Sequence, residues 1–349
     1  MAGVGAGTGT NASSYLFGFA SGEINKESVM DAIILTSPFD TPFLQMAPKV
    51  PATQTTEYWI EDTLNATNIG GLLEGRNFGA SAVVAPVRKS NHTQIFGKDL
   101  QITMTQMHLQ SYGFQDAMAH EVRDGVREVM RNIEKKVFAA SGASATGSIT
   151  PNERLMKTLE DYIVSNKYTA TSTALGGATT TQLSATALHE HIFNSLLQKV
   201  YEDGGNPDFV FVPPATKRQI SSWQGSPINT AIGSTTQNQG VHFNLQQGQS
   251  QLGRSITSYL SDFAMLNIVL DRWVPQASNT AADDTDLSGR LFLLDLARCE
   301  VAFLRPVAMV PMATAGDHVR AQITGELTLR VLAQSHMGII TGISERLFT

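Results

Sequence analysis

Between Tyr112 and Ala140 the apolar positions fall at Phe114, Met118, Val122, Val126, Val129, Ile133 and Val137, in steps of three or four. That spacing lines one side of an α-helix and predicts a long amphipathic helix over 112–140. Ser111 stands ready to cap its first turn, and Ser141-Gly142 ends it. At about 1.5 Å per residue the helix would run roughly 40 Å, the width of a domain, and would act as a spine. Its polar side places Arg123, Arg127, Arg131 and Lys135 at every fourth position, interleaved with Glu121, Asp124, Glu128 and Glu134. Such a ridge is either a solvated, salt-bridged face or a surface that meets another subunit. The interleaved acids weaken a phosphate-binding reading. Gly125 marks a bend or a close contact.

Elsewhere the pattern divides the chain into an arm, a strand-rich stretch, the spine, a mixed module and returning strands. Residues 1 to about 30 are rich in Gly, Ser, Thr and Ala and read as a flexible arm. Ser28–Leu35 has a short helical pattern, and Pro38 and Pro42 predict an extended, turning path. From Thr53 to Ile102 a period of two dominates, with Trp59 among threonines and charges; this suits a two-stranded ribbon with little core of its own, supported by a neighbouring copy. Asn152–Ser165 reads as a short helix, and Ala185–Tyr201 as a longer one with Leu188, Ile192, Phe193, Leu196, Leu197 and Val200 on its apolar side. Gly204-Gly205-Asn206-Pro207 stops that helix and leads into a buried strand over 208–212; Thr216–Trp223 predicts a further helix. After a long polar loop over 229–253, strands are expected within 255–260, 264–274, 290–296 and 299–310, and 319–343 alternates like a strand pair.

Composition adds an emphasis on surface. The 349 residues are 42% hydrophobic but only 16% charged, against an average near 25% charged. Few charges on a chain of this size point to surface hidden in partners. A net charge of −6 argues against generic binding to nucleic acid or membrane surfaces. The single cysteine, Cys299, excludes an internal disulfide and a thiolate metal cluster, and its apolar neighbourhood makes it a core filler. The first residues lack a basic and apolar leader, and no run approaches the roughly 20 apolar residues of a membrane span.

Catalytic chemistry has little to stand on. His189 and His191 lie two apart on a predicted helix, so their rings diverge and cannot share a metal. No G-x-S-x-G elbow, phosphate-binding loop or H-E-x-x-H pair occurs, and Asp283, Asp284 and Asp286 lack calcium-loop spacing. No catalytic, cofactor-binding or metal site is expected.

Several short motifs in a fixed order carry a resemblance. They are Ser37-Pro38-x-Asp40-Thr41-Pro42-Phe43, Leu73-Glu74-Gly75, Gly204-Gly205-Asn206-Pro207-Asp208, Leu304-Arg305-Pro306, Gly316-Asp317, Gly325-Glu326-Leu327-Thr328-Leu329 and Gly338-Ile339-Ile340. Over residues 28–345 the chain resembles the major capsid proteins of tailed bacteriophages with the Hong Kong 97-type fold, in a subfamily long catalogued as a phage domain of unknown function. The resemblance implies an α+β fold with an N-arm (1–52), an extended β-loop (53–105), a peripheral domain (106–204) carrying the spine helix 112–140, an axial domain (205–295) and returning peripheral strands (296–349). It implies hexamers and pentamers in an icosahedral virion shell, assembled in the bacterial host cytoplasm around double-stranded DNA held without sequence-specific binding. A portal is an implied partner, with a separate scaffolding or decoration protein, and no membrane. Candidate inter-subunit contacts are Trp59, Glu74 and Arg76 on the ribbon, and Arg123, Arg127, Arg131 and Lys135 on the ridge. The competing readings are an encapsulin-like nanocompartment shell, a phage tail tube or sheath subunit, and a soluble enzyme.

Overall fold

The computed structural model describes residues 35–65, 71, 74–75, 84–109, 116–140, 149–150, 153–170, 188–223, 256–276, 289–313 and 316–343. The strands are β1 (Lys49–Pro51), β2 (Thr56–Glu61), β3 (Val87–His92), β4 (Gln94–Thr103), β5 (Ile149–Thr150), β6 (Glu153–Arg154), β7 (Lys167–Thr169), β8 (Phe209–Val212), β9 (Ser258–Leu260), β10 (Met265–Leu270), β11 (Gly289–Leu294), β12 (Cys299–Met312), β13 (His318–Val331) and β14 (Gly338–Ile343). The helices are α1 (Pro42–Met46), α2 (Met104–His108), α3 (Ala117–Val137), α4 (Leu159–Tyr162), α5 (Glu190–Glu202) and α6 (Pro214–Trp223). Two sheets organise them, one in the order β1-β12-β13-β4 and one in the order β7-β14-β11-β8-β10-β9; β2 and β3 form a separate two-stranded ribbon.

The predicted spine is α3. Its described start is Ala117, because Asp116 caps it: one carboxylate oxygen accepts the amides of Met118 at 2.8 Å and Ala119 at 3.2 Å. Ser111 and Phe114 lie outside the described residues. Val129, Ile133 and Val137 are buried, while Met118, Val122 and Val126 are half-buried against the same core. Gly125 is a close contact: a Cβ there would stand 2.5 Å from Cδ1 of Ile323 on β13. The helix lies on the β4–β13 face at that point.

Pro42 does not extend the chain. It opens α1 at the first helical position, where its missing N–H is no loss. The next amides, of Phe43 and Leu44, are taken by the carboxylate of Glu134 on α3, at 2.6 and 3.0 Å. Three further expectations are revised. Asn152–Ser165 yields only the four-residue α4, because the same stretch must also give β6 to a hairpin and bury Met156, Leu159 and Ile163 in the core. The tail is not one strand pair: a 3-10 turn at Gln334–His336 separates β13, paired with β12 and β4, from β14, which enters the six-stranded sheet between β11 and β7. Gln94–Thr103, expected inside the extended loop, is a full strand of the four-stranded sheet, in register with Leu327 back to His318.

The six-stranded sheet is covered on both faces, which explains why every residue of β11 is buried. Val210, Val212, Leu291, Leu293 and Ile340 pack with α5 and α6. Phe211, Phe292, Leu294 and Ile339 turn to the other side and join the core of α3, α1 and the four-stranded sheet. There Phe138 sits 5.1 Å from Phe292, 5.5 Å from Phe211 and 5.4 Å from Phe43, ring centre to ring centre.

The Gly-Gly-Asn-Pro turn has a separate reason for each glycine. Gly204 ends α5 with φ +90°, a left-handed conformation that glycine adopts freely. At Gly205 a Cβ would lie 2.6 Å from the Cα of His336 and 2.7 Å from Val200. Backbone cannot swing aside as a side-chain tip can, so Gly205→Ala should destabilise the subunit by about 1–3 kcal/mol, read as a lowered denaturation midpoint; an unchanged midpoint would refute this packing.

Candidate assembly surfaces

Among the described residues no group of three or more His, Cys, Asp or Glu could hold a metal ion, and no helix is long and apolar enough to cross a membrane. Cys299 is fully buried, and that burial pushes its thiol well above the ordinary range. The features that invite contact are surfaces.

The first is the β2–β3 ribbon. Alternation sends Trp59 inward and Tyr58 and Ile60 outward. Trp59, expected at a subunit contact, is 7% exposed and packs on Tyr162 with ring centres 5.6 Å apart. The ribbon base is thus supported by its own chain, because an indole of this size finds an apolar wall beside α4. The outward face keeps Tyr58 half exposed and Ile60 71% exposed, with Arg88 stacked 3.6 Å over the Tyr58 ring. Leu64, Val84 and Val87, towards the ribbon's far end, are also exposed. Glu74 lies in an exposed turn with Gly75; Arg76 is outside the described residues.

The root of the ribbon is clamped by polar contacts that sequence reasoning missed. Glu326 on β13 is buried and accepts from the Thr93 hydroxyl at 2.6 Å and from Arg305 at 3.1 Å, and it pairs with Arg154. Arg154 also donates to the Thr93 carbonyl, at 3.3 Å. Around this pair, Asn91 donates to the Leu329 carbonyl at 2.7 Å, Thr328 to the His92 carbonyl at 2.9 Å and the Tyr162 hydroxyl to the Ser90 carbonyl at 2.9 Å. The Leu-Arg-Pro and Gly-Glu-Leu-Thr-Leu motifs therefore supply one network. The available signal was a single acid in the apolar run of β13, paired across the hairpin with Arg305.

The second surface is the α3 ridge, whose four cations are not equivalent. Arg123 is exposed, its guanidinium 3.6 Å from Asp124. Arg127 is 3.2 Å from Asp124 and lies 4.6 Å over the Phe39 ring. Arg131 lies 5.6 Å over Trp273, and Lys135 lines an open cleft of about 690 Å³ with Arg272 and Trp273. Much of the ridge thus receives the chain's own segment 35–40 and the loop after β10. The third surface is the end of the β12–β13 hairpin with α2, where Met309, Val310, Met312, Met104, Met107 and Leu109 are exposed. β1 covers β12 only over Val301–Phe303.

The two-sheet body with its braced ribbon exposes apolar outer surfaces of the kind that contact partners. Comparison with solved structures finds that architecture in capsids and in an encapsulin. A capsid chain of cyanophage A-1(L) has a TM-score of 0.58 at 11% identity, covering 92% of this chain and 98% of that one. A protein of Mycobacterium phage Bobi scores 0.55 at 11% identity, with 90% and 95% covered. The SrpI encapsulin of Synechococcus elongatus PCC 7942 scores 0.55 at 9% identity, with 95% and 96% covered. The fold is the Hong Kong 97-type shell fold. No curated protein matches by sequence. The family model of the SU10 major capsid protein matches residues 6–344, and the chain belongs to that family. It is a tailed-phage major capsid protein, a structural subunit of the virion shell.

The clamp makes a pH prediction. Burial raises the Glu326 carboxyl, but the Thr93 hydroxyl and the Arg154 and Arg305 guanidiniums outweigh it and hold it below the ordinary range. A depressed carboxyl adds stability above its unfolded pKa that is lost as pH falls through its folded value. Glu326→Gln should cost about 2–3 kcal/mol at neutral pH and should lose less stability than the parent on the acid side when urea titrations are run across pH. A variant as stable as the parent would refute the clamp.

Proposed function

We propose that copies of this chain assemble as hexamers and pentamers into an icosahedral head enclosing the double-stranded DNA genome of a tailed phage. The observation that carries this is the ribbon. Its base is locked by Glu326 and Trp59, yet Tyr58 and Ile60 on its outer face are exposed. A stiff projection with an apolar face is suited to lying across a neighbour. The six-stranded sheet with α5 and α6 would gather at the symmetry axes, and the four-stranded sheet with α3 would form the shell's periphery. The apolar end of β12 and α2 would be covered there by further copies. A portal and a separate scaffolding or decoration protein would complete the head. DNA would be enclosed without sequence-specific contacts, consistent with the net charge of −6. The encapsulin likeness rests on fold alone, while the family match favours the phage head.

Electron microscopy of the expressed protein, alone and with its genomic neighbours, tests this: closed polyhedral shells are expected, and open tubes or uniform small particles under every condition would overturn it. Ile60→Asp sharpens the test. An exposed substitution changes subunit stability by about 0.5 kcal/mol or less, so the variant should fold and fail to form shells. Normal shells from it would remove the ribbon face from the interface.

A further inference from the structure

Glu134 points inward from α3 and is 0% exposed. Its two oxygens hold the Phe43 and Leu44 amides of α1. Asp271, directly after β10, is 1% exposed. Its Oδ1 accepts the Trp273 amide at 2.9 Å, and its own amide donates to the Val212 carbonyl at 3.0 Å. Its Oδ2 is buried with no nitrogen or hydroxyl donor among the described residues. What stands beside it, within hydrogen-bonding reach, is the Glu134 carboxyl. Two carboxylates buried side by side cannot both stay charged, and an unpaired buried oxygen is costly. One proton between them resolves both problems: an O–H on Glu134 donates to Asp271 Oδ2.

We propose that the Glu134–Asp271 carboxyl pair is a proton-operated latch that holds residues 40–46 against the spine helix and the loop after β10. The pair joins segments that no strand pairing connects. The same contact area is completed by the Trp273 indole, which donates to the Asp40 carbonyl at 2.7 Å, and by Arg272, 3.6 Å from the Asp40 carboxylate. The outside charge that acts on the pair is Asp40 on the segment, while Arg131 and Lys135 on α3 and Arg272 on the loop gather around Trp273 and no cation pairs with either carboxyl among the described residues. Burial first, and then the Asp271 charge, push Glu134 up to about 8; burial likewise pushes Asp271 up to about 6. Groups raised by folding favour the docked state at low pH, and that contribution is lost as pH rises through the folded values. Alkali, not acid, therefore opens the latch. Two carboxylates would then share an apolar pocket beside Phe43 and Phe138, and withdrawal of α1 relieves them. This is a property of the subunit and does not depend on how copies assemble.

The test is hydrogen exchange at the Phe43 and Leu44 amides of the full chain from about pH 6 to about pH 9.5, corrected for intrinsic exchange. Protection should fall by about tenfold per pH unit between about pH 6 and about pH 8, then level off once both carboxyls are ionised in the docked state as well. Asp271→Asn should flatten the profile, since its amide donates to an ionised Glu134 without a shared proton. A flat parent profile, or a variant falling in parallel with the parent, overturns the latch. Should the variant not fold, the infrared band of a protonated carboxyl in the parent decides. It should be present near about pH 7 and gone by about pH 9.5; its absence at the lower pH also overturns the proposal.

Discussion

The whole subunit depends on the junction where the end of the spine helix meets the centre of the six-stranded sheet. Phe138 follows the last turn of α3 and touches Phe43, Phe211 and Phe292, which come from α1, β8 and β11. These rings belong to distant parts of the sequence, and burying them together ties the two sheets to one helix. Aromatic rings of this size bury much apolar surface and gain further from edge-to-face contact. The neighbouring Glu134 adds the direction that rings lack, because its oxygens accept only amides in the right place. Removing these rings would take the centre out of the core that the two sheets share with α3.

From that junction outward, the molecule changes character. The centre is packed on both sides, as β11 and β8 show. The ribbon and the end of the β12–β13 hairpin instead carry exposed Tyr58, Ile60, Met309, Val310 and Met312. The ribbon is neither free nor independently folded: Trp59 and the Glu326 network fix its base, while its outer face waits for cover. A shell subunit needs this division, since a body that deformed on contact could not be placed reproducibly many times over. Assembly would then add stability to elements that bury little within one chain.

The legible part of the fold was whatever a single period could reveal. The α3 stripe, the apolar side of α5 and the β8 run all follow from local alternation, and their described apolar residues pack into the core, some fully and some half-buried. Strand partnership was not legible. Gln94–Thr103 reads like ribbon because its alternation is the same whether its partner is β3 or β13, and only burial of Phe96, Leu100 and Ile102 distinguishes them. Trp59 was misread for a related reason: a lone indole among polar residues does not announce that Tyr162 awaits it. The ridge shows the limit for charge, since periodicity placed Arg127 and Arg131 on one face but could not show Phe39 and Trp273 lying beneath them. Glu134 looked like one more solvated acid of the ridge because its partners are the backbone amides of Phe43 and Leu44, far away in sequence. The family, by contrast, was legible in the order of short motifs, and several of these now have physical reasons in the clamp and in the turn after α5.

The body should be complete in one chain, with the outer ribbon face completed only by another copy. Hydrogen exchange compared between isolated subunits and assembled particles tests it most directly. β8, β11 and the buried half of α3 should be equally protected in both, and β2 and β3 should gain protection on assembly. Ribbon protection already complete in the isolated subunit, or a core that becomes protected only in particles, would contradict it.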